Sequence, residues 1–131
     1  MMISGTRKQI LVVEDEENLR TLLATRLEHT GFTVHGEGTG AGGLRYAAEG
    51  HPDLIILDVR LPDLTGYEVC AVLRKLFHAS RMPIVMLTGL DQPVDQLRGF
   101  AHGADAYMTK PFDFAELQKT IEFLLSEAVA E

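Results

Sequence analysis

Short aliphatic runs alternate along the chain with longer segments in which apolar residues recur every three or four positions. The first run, Ile10–Val13, is followed by leucines at helical spacing as far as Leu27. Short apolar runs predict buried strands, and the three-and-four spacing predicts helices with one buried face. Four further pairs of this kind follow, so the sequence predicts five strands that alternate with five helices.

Glycine and proline mark the boundaries of these segments. The predicted strands cover residues 10–13, 32–34, 53–57, 84–88 and 104–108. Gly31 is predicted to end the first helix. The glycine-rich stretch from Gly36 to Gly43 lacks the ending of a phosphate-binding loop and is predicted to be a flexible loop. The second helix, 41–48, is expected to be the weakest, and the last helix is placed at 116–128.

Strands that are apolar almost throughout must bury both of their sides, as in a parallel sheet covered by helices on both faces. The predicted class is therefore doubly wound α/β. With 131 residues the chain has room for one domain. We place that domain at 9–127, with a tail at 1–8, and with 128–131 as a tail or the start of a linker to an absent effector. Whether the chain is a stand-alone protein or part of a longer one is left open.

Charge and composition exclude several classes of function. The chain has 12 Lys and Arg against 19 Asp and Glu, a net charge of −7, which disfavours direct binding of nucleic acid. No apolar run approaches the roughly 20 residues that span a bilayer, and the N-terminus lacks the apolar core of a secretory signal. A cytoplasmic protein is expected. The single Cys70 lies in a helical apolar pattern and is assigned to packing.

Polar residues collect where the predicted strands end. Glu14 and Asp15 follow the first strand, Asp58 the third, Thr88 the fourth and Lys110 the fifth. The carboxyl ends of parallel strands meet at one edge, where ligands bind in such sheets. Clustered carboxylates repel one another and favour a hard divalent cation such as Mg²⁺. Together with an ammonium and a hydroxyl, this site would receive a phosphoryl group, with an aspartate as nucleophile.

Four segments carry a resemblance to a known family, that of bacterial response regulator receiver domains. They are Leu11–Glu16 (LVVEDE), Asp58–Gly66 (DVRLPDLTG), Met86–Gly89 (MLTG) and Gly103–Phe112 (GADAYMTKPF). The chain resembles this family from about 9 to 126. The resemblance implies a CheY-like, flavodoxin-like (βα)5 fold with five parallel strands in the order 2-1-3-4-5.

The resemblance also implies roles for individual residues. Asp58 would accept a phosphoryl group from a phosphohistidine on a sensor histidine kinase or a phosphotransfer protein. Asp15, Asp58 and the main-chain carbonyl of Arg60 would hold Mg²⁺, or Mn²⁺ as an alternative, with Glu14 acting through water. Such a protein is no enzyme in the ordinary sense, because it catalyses only its own phosphorylation and dephosphorylation.

The remaining implied roles concern the switch. Lys110 and Thr88 would contact the phosphoryl oxygens, Thr88 and Tyr107 would change position together, and the Lys110–Pro111 peptide would be cis. The surface of the fourth helix, fifth strand and fifth helix would then change for a downstream effector domain or protein. A phosphorylation-linked homodimer is left open, because Ala106 replaces the second Asp of one dimerising subgroup and the last helix has only Lys119 as a base.

Two other functions compete with this interpretation. A metal-dependent phosphohydrolase would need a second acid two residues after the nucleophile, where Arg60 stands. A docking module that works without phosphorylation is the main alternative. The five histidines show no metal-ligand spacing and are assigned to the surface.

Overall fold

The computed structural model describes residues 7–77 and 82–130 as strands and helices that alternate along the chain. The strands are β1 (Gln9–Val13), β2 (Thr33–Glu37), β3 (Leu54–Leu57), β4 (Ile84–Thr88) and β5 (Ala106–Thr109). The helices are α1 (Glu17–His29), α2 (Gly40–Gly50), α3 (Gly66–Leu76), α4 (Pro93–Ala101) and α5 (Phe114–Ala130). In the described part of the chain no helix is both long and apolar enough to cross a membrane.

All five strands form one parallel sheet in the order β2-β1-β3-β4-β5, which confirms the predicted fold class. In the register of this sheet Val13 lies opposite Leu57, and Thr88 lies opposite Thr109. The residues that follow β1, β3, β4 and β5 therefore reach the same edge of the sheet, which is where the polar residues were predicted to meet.

The strands bury both of their sides, as their composition predicts. Leu11 and Val13 belong to one apolar cluster, and Ile10 and Val12 belong to the other. Alternate residues of a strand point to opposite faces, so each cluster fills the space under one layer of helices. Cys70 is buried in the first cluster, and burial raises the pKa of its thiol to about 11, in keeping with the packing role assigned to it.

The predicted glycine loop was wrong. β2 continues through Gly36 to Glu37, and α2 begins at Gly40 and runs to Gly50 instead of 41–48. The glycines serve close packing, since a Cβ on Gly43 would lie 2.7 Å from a methyl group of Val13. Thr39 caps α2 by accepting a hydrogen bond from the Gly42 N–H.

Other boundaries differ by a few residues. β5 begins at Ala106, not at 104, and α5 begins at Phe114, two residues before the predicted start. Gly31 follows the end of α1 with a φ of +105°, the left-handed conformation that the predicted helix end requires.

Candidate functional site

Three carboxylates converge at the carboxyl edge of the sheet. Glu14 follows β1 and is 3% exposed, Asp58 follows β3 and is 5% exposed, while Asp15 is exposed. One oxygen from each of the three lies within 4.8 Å of the other two. The strand register brings these groups together, since the backbone N–H of Asp58 donates to the Val13 carbonyl of the neighbouring strand.

Lys110 bridges the two buried carboxylates. Its Nζ lies 2.8 Å from Glu14 Oε1 and 2.8 Å from Asp58 Oδ2. Burial alone would lower the pKa of Lys110, but the bonds to Asp58 and Glu14 outweigh it and raise the pKa. Burial raises the pKa of Glu14 in spite of its bond to Lys110. The ammonium is therefore firmly charged and faces more negative charge than it can neutralise alone.

The backbone around Lys110 fixes its position. The N–H of Lys110 donates to the Thr88 carbonyl at 2.8 Å, which extends the pairing of β4 with β5. The peptide between Lys110 and Pro111 is cis, the isomer that the family resemblance implies. Beside this segment and α1 lies a mainly apolar cavity of about 320 Å³, lined by Leu22, Arg26, Phe112 and their neighbours.

The loop after Asp58 is held tightly to it. The Arg60 N–H donates to Asp58 Oδ1 at 3.1 Å, while the Arg60 side chain is exposed. Gly66, the first residue of α3, packs so close that a Cβ there would lie 2.4 Å from the Asp58 carbonyl oxygen. Only glycine fits at that position, so α3 starts directly against the acidic site.

Sequence reasoning missed two residues that shape the site. Arg20 of α1 donates from Nη1 to the Glu14 carbonyl at 2.7 Å. Asp63 accepts hydrogen bonds from the N–H groups of Gly40, Ala41 and Leu64, and the bonds from Ala41 and Gly40 lower the pKa of Asp63. Asp63 thereby ties the loop after Asp58 to the N-terminus of α2, a contact over more than 20 positions that no local pattern signals.

Thr88 is the last residue of β4, and Tyr107 lies on the neighbouring β5, opposite Met86. Thr88 is fully buried, and its Oγ1 accepts a long hydrogen bond of 3.4 Å from the Leu90 N–H. The Tyr107 hydroxyl donates to the Leu90 carbonyl at 2.8 Å. The half-buried ring of Tyr107 lies against α4, so close that a Cβ on Gly99 would lie 2.8 Å from a ring carbon. Burial raises the pKa of Tyr107 above its ordinary value.

The described histidines take no part in the acidic cluster. His35 stacks on Tyr46 with ring centroids 3.8 Å apart, and its Nε2 lies 2.6 Å from a Glu37 carboxylate oxygen. His29, His51 and His102 are exposed, as predicted. His78 lies outside the described residues.

The donor set fits Mg²⁺. Glu14, Asp15 and Asp58 offer only carboxylate oxygens, which hard divalent cations prefer, and their combined charge exceeds that of Lys110. Asp15 is exposed, so a cation would keep some of its water, as Mg²⁺ normally does in proteins. Asp58, Asp15, Thr88 and Lys110 all meet at this edge, and the Arg60 backbone lies next to them.

Comparisons with known proteins point to one family. Residues 10–122 match the response regulator receiver domain. The chain is 45% identical over 118 residues to the alkaline phosphatase synthesis transcriptional regulatory protein PhoP of Bacillus subtilis, covering 90% of this chain and 48% of PhoP. The chain thus spans about half the length of this relative.

Solved structures agree with the sequence comparison. A CheY-like receiver domain protein from Methanospirillum hungatei is 29% identical with a TM-score of 0.90, covering 95% of this chain and 98% of that one. The BeF3-activated receiver domain of Klebsiella pneumoniae RstA is 31% identical with a TM-score of 0.84, covering 90% and 98%.

Proposed function

We propose, from the premise that this chain belongs to the response regulator receiver domain family, that it is a switch operated by phosphorylation of Asp58. The observation that carries the proposal is the 2.8 Å contact between Lys110 Nζ and Asp58 Oδ2 beside the two other carboxylates. A half-buried ammonium next to a nucleophilic carboxylate is what an incoming phosphoryl group requires.

In the proposed reaction an Asp58 carboxylate oxygen attacks phosphorus in line. A new O–P bond forms as the N–P bond of the donor phosphohistidine breaks, and the imidazole leaves with the electron pair and takes up a proton. Lys110 then pairs with a phosphoryl oxygen, and the Arg60 N–H, now 3.1 Å from Asp58 Oδ1, remains at the acceptor side chain.

Asp15 and Asp58, with the Arg60 carbonyl and with Glu14 through water, are the residues that we propose to hold Mg²⁺. Bound there, the ion would neutralise phosphoryl charge that Lys110 alone does not balance. Mn²⁺, which also prefers oxygen ligands, is an alternative occupant.

The phosphorylated state is proposed to act through Thr88 and Tyr107. The phosphoryl group adds negative charge and three acceptor oxygens, which draw the Thr88 hydroxyl towards them and so favour the inward position of the Tyr107 ring against α4. The Tyr107 ring belongs to β5 and packs against the inner side of α4. A change in its position therefore changes the outer surface of α4, β5 and α5 for an effector domain or protein. The donor is a sensor histidine kinase or a phosphotransfer protein.

Transfer from a phosphorylated histidine phosphotransfer domain, followed with labelled phosphate, tests this proposal. Label should move to the wild type in the presence of Mg²⁺ and should not move to Asp58→Asn. Equal labelling of the variant would contradict the assignment of the acceptor. A folded wild type that takes no label would favour the docking module that works without phosphorylation.

A phosphohydrolase is tested separately. Arg60 occupies the position of its second acid and is exposed, so continuous release of phosphate from small phosphate esters is not expected. Steady turnover of such an ester, lost in Asp58→Asn, would favour the hydrolase.

A further inference from the structure

Tyr67 links the start of α3 to α4. It is the second residue of α3, it is 8% exposed, and it follows Gly66, which packs on the Asp58 backbone. The N-terminal turn of α3 is itself fixed by a capping box between Thr65 and Glu68. The Tyr67 ring therefore starts from a rigid point directly beside the proposed phosphorylation site.

The other end of the Tyr67 side chain reaches α4. Its hydroxyl donates to the Asp95 carbonyl at 3.1 Å, in the first turn of that helix. The Arg98 guanidinium lies 5.5 Å from the ring centroid, and the His102 ring stacks on it at 5.3 Å. One aromatic side chain thus contacts α4 in its first turn, at Arg98 in its last turn, and at the C-cap residue His102.

Tyr67 belongs to the apolar cluster against which Tyr107 packs. Burial is the main reason that the pKa of Tyr107 is raised, and the nearby Tyr67 hydroxyl is the next. The Tyr107 ring lies under α4 at Gly99, so the two tyrosines contact the same helix from inside the fold. A shift of α4 that changes the position of one must also change the contacts of the other.

We propose that Tyr67 is a positioning residue that holds α4 over the inward Tyr107 ring and thereby favours the phosphorylated arrangement of the switch. This inference rests on the proposed function, in which phosphorylation favours an inward Tyr107. It adds a second connection from the acceptor to α4, which runs from Asp58 through Gly66 and Tyr67, besides the connection through Thr88.

The test uses beryllofluoride, a stable mimic of the phosphoryl group, with Mg²⁺ and the whole chain. The Tyr67→Phe variant keeps the ring but loses the hydrogen bond to the Asp95 carbonyl. Because apparent affinity falls with the population of the binding-competent arrangement, its apparent dissociation constant should rise roughly three- to tenfold. Tyr46→Phe on α2, the same chemical change far from α4, is the matched control and should bind like the wild type.

A double-mutant cycle separates positioning from simple packing. If Tyr67 acts on Tyr107 through α4, Tyr67→Phe should have little further effect in a Tyr107→Phe background. Independent effects that add in the double variant would contradict the inference. An unchanged affinity of Tyr67→Phe for beryllofluoride would also contradict it. This holds even if the variant is less stable, with a urea midpoint that falls by the same amount with and without beryllofluoride.

The same titrations distinguish failure of the inference from failure of the proposed function. If wild type and Asp58→Asn bind beryllofluoride equally, or neither binds it, the proposed function is wrong and the role of Tyr67 is wrong with it. If the wild type binds and Asp58→Asn does not, the proposed function stands, and the affinities of Tyr67→Phe and the double variant decide the inference alone.

Discussion

The Lys110 ammonium lies 2.8 Å from an Asp58 carboxylate oxygen, although 52 residues separate the two along the chain. Asp58 is buried and Lys110 half-buried, so water screens this contact only partly. The same ammonium holds Glu14 at 2.8 Å. Lys110 therefore contributes to the stability of the resting fold and, in the proposed function, to the reception of a phosphoryl group.

Replacing Lys110 by Met should weaken both. Without the ammonium, Glu14 and Asp58 are left close together with no countercharge, and the free energy of unfolding should fall by about 1–3 kcal/mol in urea titrations without Mg²⁺. The rate of labelling by a small acyl phosphate should fall about 10²-fold. Lys119→Met on the exposed face of α5 is the control and should change neither quantity. A Lys110→Met variant that is labelled at the wild-type rate would show that Lys110 takes no part in phosphorylation.

Mg²⁺ should stabilise the fold through the carboxylate cluster. A ligand that binds only the folded state, at a concentration about 100 times its dissociation constant, raises the free energy of unfolding by about 2.7 kcal/mol. The Asp15→Asn variant should lose most of this gain. Because Asp15 is exposed, the free energy of unfolding of the variant without metal should differ little from that of the wild type. Thermal unfolding with and without Mg²⁺ measures both effects. An equal gain in the wild type and Asp15→Asn would mean that Mg²⁺ binds elsewhere.

How much of the structure the sequence could predict depends on how far apart along the chain the interacting groups lie. The apolar runs predicted all five strands, and strand ends are enough to bring Glu14, Asp58 and Lys110 to one edge, because parallel strands finish together. Glycine was misread as a loop signal in α2. There it is the residue that lets the helix approach Val13 closely, which depends on a packing partner remote in sequence.

Contacts between loops and helix surfaces were beyond sequence reasoning. Asp63 reaches the N-terminus of α2 from 22 and 23 positions away, and Tyr67 reaches Asp95 across 28. A lone Asp in a turn or a lone aromatic at a helix start is ordinary in isolation. Only the crossing geometry of the elements gives these residues a specific partner.

Asp63 should stabilise the fold in a pH-dependent way. The N–H groups of Ala41 and Gly40 lower its pKa, so its contribution is present above its ordinary pKa of 3.8 and is lost as pH falls through the lower value of the folded state. Asp63→Ala should lower the urea midpoint at pH 7. The difference from the wild type should shrink as pH falls below about 4. A difference that is the same at both pH values would show that the charge of Asp63 does not matter.

Tyr107 should stabilise the fold at neutral pH and less in alkali. Tyr107→Phe loses the hydrogen bond to the Leu90 carbonyl, and its free energy of unfolding should fall by about 1 kcal/mol at pH 8. The pKa of Tyr107 is higher in the folded than in the unfolded state, so its contribution is complete below about pH 10 and is lost as pH rises further.

Urea titrations of both proteins at pH 8 and pH 11 provide the test for Tyr107. The difference in stability between wild type and Tyr107→Phe should narrow at the higher pH. The Tyr46→Phe variant, measured at the same two pH values, controls for the general loss of a phenol. A gap that widens towards pH 11 would contradict the assigned direction of the pKa.

Intact-protein mass spectrometry after incubation with acetyl phosphate and Mg²⁺ tests the central assignment of Asp58 most directly. The wild type should gain a single phosphoryl group, and neither Asp58→Asn nor a wild-type sample treated with a metal chelator should gain it. Beryllofluoride binding guards against loss of the adduct by rapid hydrolysis. A phosphoryl adduct that persists in Asp58→Asn, or a wild type that neither gains the adduct nor binds beryllofluoride, would contradict the account.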